Sequence, residues 1–376
     1  MTLRRKMRKS VAAIALVALA SGGALAGCTT GAKEDINNGS ATVMVTDQSN
    51  PARTVELTAP VEKIVTAVIP YPEVVVALDE GSWDRLVGVN ETTLTLNQNN
   101  IAGELFPESK ELKVVASSSF DVDPEALADL GAQVAVQWET EDMEHLEQAG
   151  IPTLGVNYGT LELLQGWITM TGQMLGKEDR AEAILERMDE TKADIEAKVE
   201  KLGAEPVRTT TVLAVEDSAF TVFSGSRALD AETYKRAGGV ALFEGLKESN
   251  GQVNAEEFIA ADPEVIFISG LGKATPEDIL NHPLLQNVSA VKNKRVYKTP
   301  TGVFPWQPPS AENYLMWHWA AALLHPELYD WDEREMVREN FKFLFGKELT
   351  EEQLDKVLRV EMNKNSAGYT QMYGQK

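Results

Sequence analysis

Cysteine is almost absent from this chain: Cys28 is the only one in 376 residues. No intrachain disulfide can form, so packing alone must hold the fold. Histidine is scarce too, limited to His145, His282, His318 and His325. No two of them have the i, i+4 spacing or the carboxylate company of a zinc site, which argues against a bare divalent ion as ligand. Basic residues are outnumbered, 35 against 57 acidic, a balance that disfavours nucleic acid or an anionic membrane as partner. Catalytic signatures are missing as well. There is no Gly-x-Ser-x-Gly elbow and no His-Glu-x-x-His helix, and "GLGKATPED" lacks the spacing of a phosphate-cradling loop. A hydrolase or transferase therefore has no visible machinery. Past residue 27, no apolar run reaches the roughly 18–20 residues that cross a bilayer.

The amino terminus is where the apolar run is found. "MTLRRKMRKS" is a basic region, "VAAIALVALA" an apolar one, and "LAGC" at 25–28 a small-residue cleavage site, so residues 1–27 read as an export signal. Cys28 directly after Leu-Ala-Gly resembles the bacterial lipobox, in which the new terminal cysteine is lipidated. Residues 28–40 then read as a flexible stalk. The chain is expected on the outer face of the cell membrane, or the periplasmic side in a two-membrane cell. Losing the five basic and no acidic residues of 1–27 moves the formal charge from −22 to −27. The remaining length suits two domains.

Residues 41–60 alternate apolar and polar positions around an Asn-Pro turn, a hairpin signal. "KIVTAV", "DRLVGVN", "AQVAVQW" and "IPTLGVN" follow as short strands, separated by helices such as "EVVVALDEG", "DVDPEALADLG" and "MEHLEQAG". Strand and helix alternating at short spacing predict an α/β layer with a mostly parallel sheet. Residues 161–206 are different. "KEDRAEAILERMDETKADIEAKVEKLG" at 177–203 has no internal Gly or Pro and predicts a rod of roughly 40 Å. Ile184, Leu185, Met188, Ile195, Val199 and Leu202 do not sustain a heptad, so a single helix lying across the protein is expected rather than a coiled coil.

Alternation resumes from 207 to about 330, with helices expected from 331 to 376. "VNAEEFIAADPEVIFISG" at 253–270 repeats "VDPEALADLGAQVAVQW" at 122–138, pairing Asp123 with Asn254 and Val134 with Val265 at an offset of 131 residues. The chain thus builds two similar α/β lobes, 41–160 and 207–330, joined by one long helix and facing each other across a cleft.

These lobes, the connector and the stretches "RLVGVNE", "ALADLGAQVAVQ", "MLGKEDRAEAIL", "FIAADPEVIFISG" and "LLQNVSAVKNKRVYKTP" resemble the substrate-binding lipoproteins of ABC importers for siderophores, haem and cobalamin. The resemblance implies a binding protein and not an enzyme. It also implies a stiff connector that limits closure, partnership with a permease and its ATPase, and a monomer without a resident cofactor. One acidic residue per lobe docks on the permease in that family, and Glu73 and Glu232 match those positions. A tethered sensor or adhesin on the same fold is the alternative.

Ligands of parallel α/β layers sit at the carboxyl ends of the strands. Those ends lead to Tyr71, Trp138 and Tyr158 in the first lobe and to Phe220, Arg227, Phe304 and Trp306 in the second. Aromatics suit a large flat ligand, and Arg227 is the candidate cation for carboxylate or catecholate oxygens. An iron-siderophore is the first expectation, with haem or a cobamide next. His318 is a candidate axial ligand.

Overall fold

A computed structural model of the chain describes residues 41–375 apart from 119, 121, 123, 140–142, 225–227 and 249. The expectations for the export signal, the stalk, Cys28, the Asp123 cap and Arg227 lie outside the described residues.

The chain opens with an antiparallel hairpin, β1 (Ala41–Thr46) and β2 (Thr54–Ala59), with Thr46 opposite Thr54. Asp47 ties its turn to the rest of the lobe. The Asp47 carboxylate accepts from the N–H groups of Ser49, Arg53 and Gly155, and it pairs with the Arg53 guanidinium at 2.7 Å. The first lobe is a five-stranded sheet in the order β5-β4-β3-β6-β7, parallel throughout. Its strands are β3 (Ile64–Thr66), β4 (Leu86–Asn90), β5 (Lys113–Ala116), β6 (Val134–Trp138) and β7 (Thr153–Val156).

The second lobe carries β8 (Val207–Val215), β9 (Ala219–Phe223), β10 (Gly239–Ala241), β11 (Asn250–Asn254), β12 (Val265–Ile268) and β13 (Val296–Lys298). Their order is β11-β9-β8-β12-β13, with β10 also on β8. β9 and β11 run antiparallel, the rest parallel. The repeated unit occupies the same place in each sheet. Val134 of β6 pairs with Ile64 of the central β3, and Val265 of β12 pairs with Thr209 of the central β8. Asn254 caps the helix Ala255–Ala261 with a full capping box.

The connector divides in two. Helix Leu161–Leu175 ends at Gly176, whose left-handed backbone (φ 63°) closes it. That helix packs on β1, β2 and the helix Tyr71–Leu78, so it belongs to the first lobe. Helix Glu178–Leu202 alone spans onward, burying Ala181, Ile184, Met188 and Ile195 along one stripe. It rests on Leu161–Leu175, on Ala228–Arg236 and on Leu315–Leu324. Among the described residues no helix is long and apolar enough to cross a membrane.

Residues 299–314 form neither helix nor regular strand, yet every one is buried. They lead from β13 into Leu315–Leu324, a helix buried on all sides. Helices Glu333–Phe345, Glu351–Val357 and Tyr369–Tyr373 complete the carboxyl terminus.

Candidate ligand-binding cleft

The carboxyl ends of the parallel strands converge on a cavity of about 320 Å³. From the first lobe come Ile69 and Pro70 after β3, Thr92 and Leu96 after β4, Phe120 after β5, Trp138 at the end of β6 and Tyr158 after β7. The second lobe adds Leu271 after β12 and Phe304, Pro308 and Pro309 after β13. No charged side chain is in this wall among the described residues. The volume falls within the range of small-molecule sites.

The first-lobe wall rests on stacked aromatics. Trp138 meets Phe120 edge-on at 6.4 Å and Trp167 at 5.8 Å, and Trp167 meets Tyr71 at 5.9 Å. Trp167 is fully buried, and its indole N–H donates to Gln48 Oε1 and the Asn157 carbonyl. This chain of rings fixes Trp138 at the rim. The Tyr158 hydroxyl donates to Asp230 Oδ2 at 3.2 Å, a contact between the lobes.

The second-lobe wall rests on buried polar groups. Glu312 Oε2 accepts from the Phe304 N–H at 3.1 Å, and its Oε1 accepts from the Trp306 indole N–H at 3.3 Å. Glu73, on the helix Tyr71–Leu78, accepts the Ala311 N–H at 2.7 Å. Both carboxyls are fully enclosed. Burial pushes Glu312 up to about 8. Burial, then the nearby Glu312, pushes Glu73 well above the usual carboxylate range. Without a cation beside them, protonation is the cheaper way to be buried. On the other side, Lys298 lies beneath the loop that carries Leu271, 4% exposed.

Trp138, Tyr158 and Phe304 thus line one cavity, and the other strand-end candidates do not. Tyr71 is 0% exposed, with its hydroxyl 2.5 Å from Thr171 Oγ1. It starts a helix, so its ring turns inward while Ile69 and Pro70 reach the cavity. Trp306 is likewise 0% exposed and turned onto Glu312. Phe220 packs on Phe258 at 4.6 Å in the second-lobe core. It opens β9, which returns antiparallel from β8, so it follows no parallel strand end. His318 is no axial ligand in this arrangement: it is buried against Trp331 and meets Asp194 of the helix Glu178–Leu202 at 3.4 Å. Among the described residues no cluster of His, Cys, Asp or Glu could hold a metal ion.

The two expected docking carboxylates also fare differently. Glu73, 2% exposed and covered by Ala311 and Glu312, offers no surface to a partner. Glu232 is half-buried, and its Oε2 accepts the Leu161 N–H at the start of the helix Leu161–Leu175. Thr92, Leu96 and Phe120 were not anticipated. They follow β4 and β5, where "ETTLTLNQN" is a weak helix former and β5 is only four residues long. Asn90, at the end of β4 and accepting the Thr92 N–H, was the available signal.

Comparison with known proteins agrees with this architecture. A family profile described as periplasmic binding protein matches residues 64–302. The vitamin B12-binding protein of Vibrio campbellii (strain ATCC BAA-1116) is 25% identical over 215 residues, 56% of this chain and 71% of that protein. A periplasmic solute binding protein from Veillonella parvula DSM 2008 superposes with a TM-score of 0.76 at 24% identity, covering 86% of this chain and 99% of that one. Helicobacter pylori CeuE with Ni(II) bound gives 0.69 at 23%, covering 84% and 99%. The molybdate-bound MolA of Haemophilus influenzae gives 0.70 at 19%, covering 82% and 99%. At these identities the structures share the fold. The matched profile, two lobes and strand-end cavity together place the chain in the periplasmic binding protein family, the extracytoplasmic solute-binding components of ABC importers, which bind and deliver but are not enzymes.

Proposed function

We propose that the cleft captures a bulky metal chelate with a largely apolar face, a cobamide or haem-like tetrapyrrole ahead of an anionic iron-siderophore, and delivers it to a membrane permease. The single observation that carries this reading is the uncharged, aromatic wall formed by Phe120, Trp138, Tyr158 and Phe304. A flat ring system gains contact area against such rings. A bare oxyanion or a naked cation would lose its hydration there with nothing in return. That argument sets the Ni(II) and molybdate of the structural relatives apart from this wall, and the name of the Vibrio relative points the same way. It also reverses the order expected from the sequence, which relied on Arg227 as a cation for a siderophore. Lipid on Cys28 would hold the protein at the membrane. Glu232 is the remaining candidate for permease docking, since Glu73 has no exposed face.

Titration of the exported chain with cyanocobalamin, hemin, a ferric catecholate and a ferric hydroxamate tests the reading, followed by calorimetry and tryptophan fluorescence. Cyanocobalamin or hemin should bind and quench Trp138, and Trp138→Phe should lose most of the quenching. Binding of nickel or molybdate alone, with all four chelates inert, would reject it. Cys28→Ala should release the protein from membranes into the soluble fraction; if it stayed bound, the anchor would lie elsewhere.

A further inference from the structure

Lys298 ends β13 with its ammonium pointing into the protein, where Nζ donates to the carbonyls of Ser269 at 2.7 Å, Gly272 at 2.7 Å and Ala274 at 3.0 Å. All three N–H donors of the head group are therefore used. No carboxylate among the described residues forms an ion pair with it. A lysine buried without a counter-charge is rare because its desolvation is costly. Here the dipoles of three carbonyls replace water.

Those carbonyls belong to one loop, residues 269–274, between β12 and the helix Pro276–Leu280. Its Leu271 is part of the cleft wall. The loop has no slack against the neighbouring wall, since a Cβ on Gly270 would lie 2.9 Å from Pro305 Cβ. Lys298 is itself fixed: its N–H donates to Asn363 Oδ1 at 2.7 Å and its carbonyl accepts from Asn363 Nδ2 at 3.0 Å. A rigid strand end thus holds the loop through a single side chain.

We propose that Lys298 is a positioning residue for ligand binding, pinning the loop 269–274 to β13 and so setting where Leu271 meets the ligand. This rests on the chelate reading of the cleft. Two charged groups bear on the ammonium, Arg359 against its charge and Asp278 for it. Burial first, then Arg359, pushes Lys298 down to about 8. Above that pH the neutral amine has two N–H groups for three carbonyls, and the loop loosens.

The exported chain, with cyanocobalamin and hemin as separate calorimetric probes, is measured from about pH 6.5 to about 9.5, a window that brackets this titration. Wild-type affinity should fall as pH rises through about 8. Lys298→Met should bind roughly tenfold more weakly throughout, with no such step. Lys298→Arg should keep the affinity and flatten the profile, because its charge persists. Amide exchange of 270–274 in the unliganded protein, at one pH, should rise in the Met variant while β12 and β13 stay protected. Unchanged exchange in Lys298→Met, or a wild-type step that persists in Lys298→Arg, would overturn the proposal. The persisting step would pass the effect to Glu312. If neither probe binds the wild-type protein, the chelate reading fails by itself, and the exchange result still decides the role of Lys298 in the loop.

Discussion

The two walls of the cleft come from copies of one helix–strand unit, yet different physics holds them. On the first-lobe side, rings support rings: Tyr71, Trp167, Trp138 and Phe120 pass contact from core to rim without an ionisable group between them. On the second-lobe side, the irregular segment 299–314 and the loop 269–274 are held by buried ionisable groups, Glu312 and Lys298. Apolar packing is indifferent to pH, whereas a buried carboxyl or ammonium is not. The fold unit therefore sets where a wall stands, and its supporting residues set how that wall responds to conditions.

The sharpest way to break this contrast is Gly302→Ala. A methyl there would overlap the Glu312 carboxylate, and a buried group that already grips Phe304 and Trp306 cannot retreat. A loss of about 3 kcal/mol in denaturant unfolding is expected, with chelate binding abolished. A variant as stable as wild type would show that Glu312 does not organise this wall. Next in size, Trp138→Ala should weaken cyanocobalamin or hemin binding roughly thirtyfold by calorimetry, close to 2 kcal/mol, without a pH-dependent component.

Glu73→Gln probes the same segment by titration. Because Glu73 and Glu312 have raised folded-state values, their stability contribution is full below the ordinary carboxylate range near 4.5. It is lost as pH rises, through about 8 for Glu312. Thermal melts of the wild-type protein should therefore weaken over that interval. The Gln variant keeps an acceptor for the Ala311 N–H but cannot ionise, so its decline should be shallower, by about 1–2 kcal/mol at the alkaline end. Identical slopes would mean that Glu73 does not share the titration. The smallest effect is expected from Tyr158→Phe, which removes the donor to Asp230. It should cost about 1 kcal/mol of stability and leave the pH profile of binding intact. A profile that changed shape would place an ionisable group behind the first-lobe wall after all.

How much of this was legible beforehand depends on the residue. The pairing of Val134 with Val265 was visible because burial between layers demands the same apolar run in each lobe, and both valines do lie beside the central strand of their sheet. Trp138, Tyr158 and Phe304 were visible because strand ends can be counted. Tyr71 and Trp306 show the limit of counting. One or two residues past a strand end, a helix start or a tight turn reverses the direction of a side chain, and the sequence at that point carries no signal of it. Gly176 was read as a tolerated break in one connector, whereas its left-handed backbone ends the first helix there. Glu73 was read as an exposed acid at a helix start, a reasonable place for one. Its cover comes from Ala311 and Glu312, more than 230 residues away along the chain.

The sequence by itself determined the repeated α/β unit, the single spanning helix and the side of each sheet on which a ligand would sit. These follow from periodicity, capping and strand polarity, which act over a few neighbouring residues. Only the tertiary structure decided which aromatics face the cleft, and that Glu73, Glu312 and Lys298 lie sealed behind it. Burial is a property of everything that packs around a residue, and distant segments supply that packing.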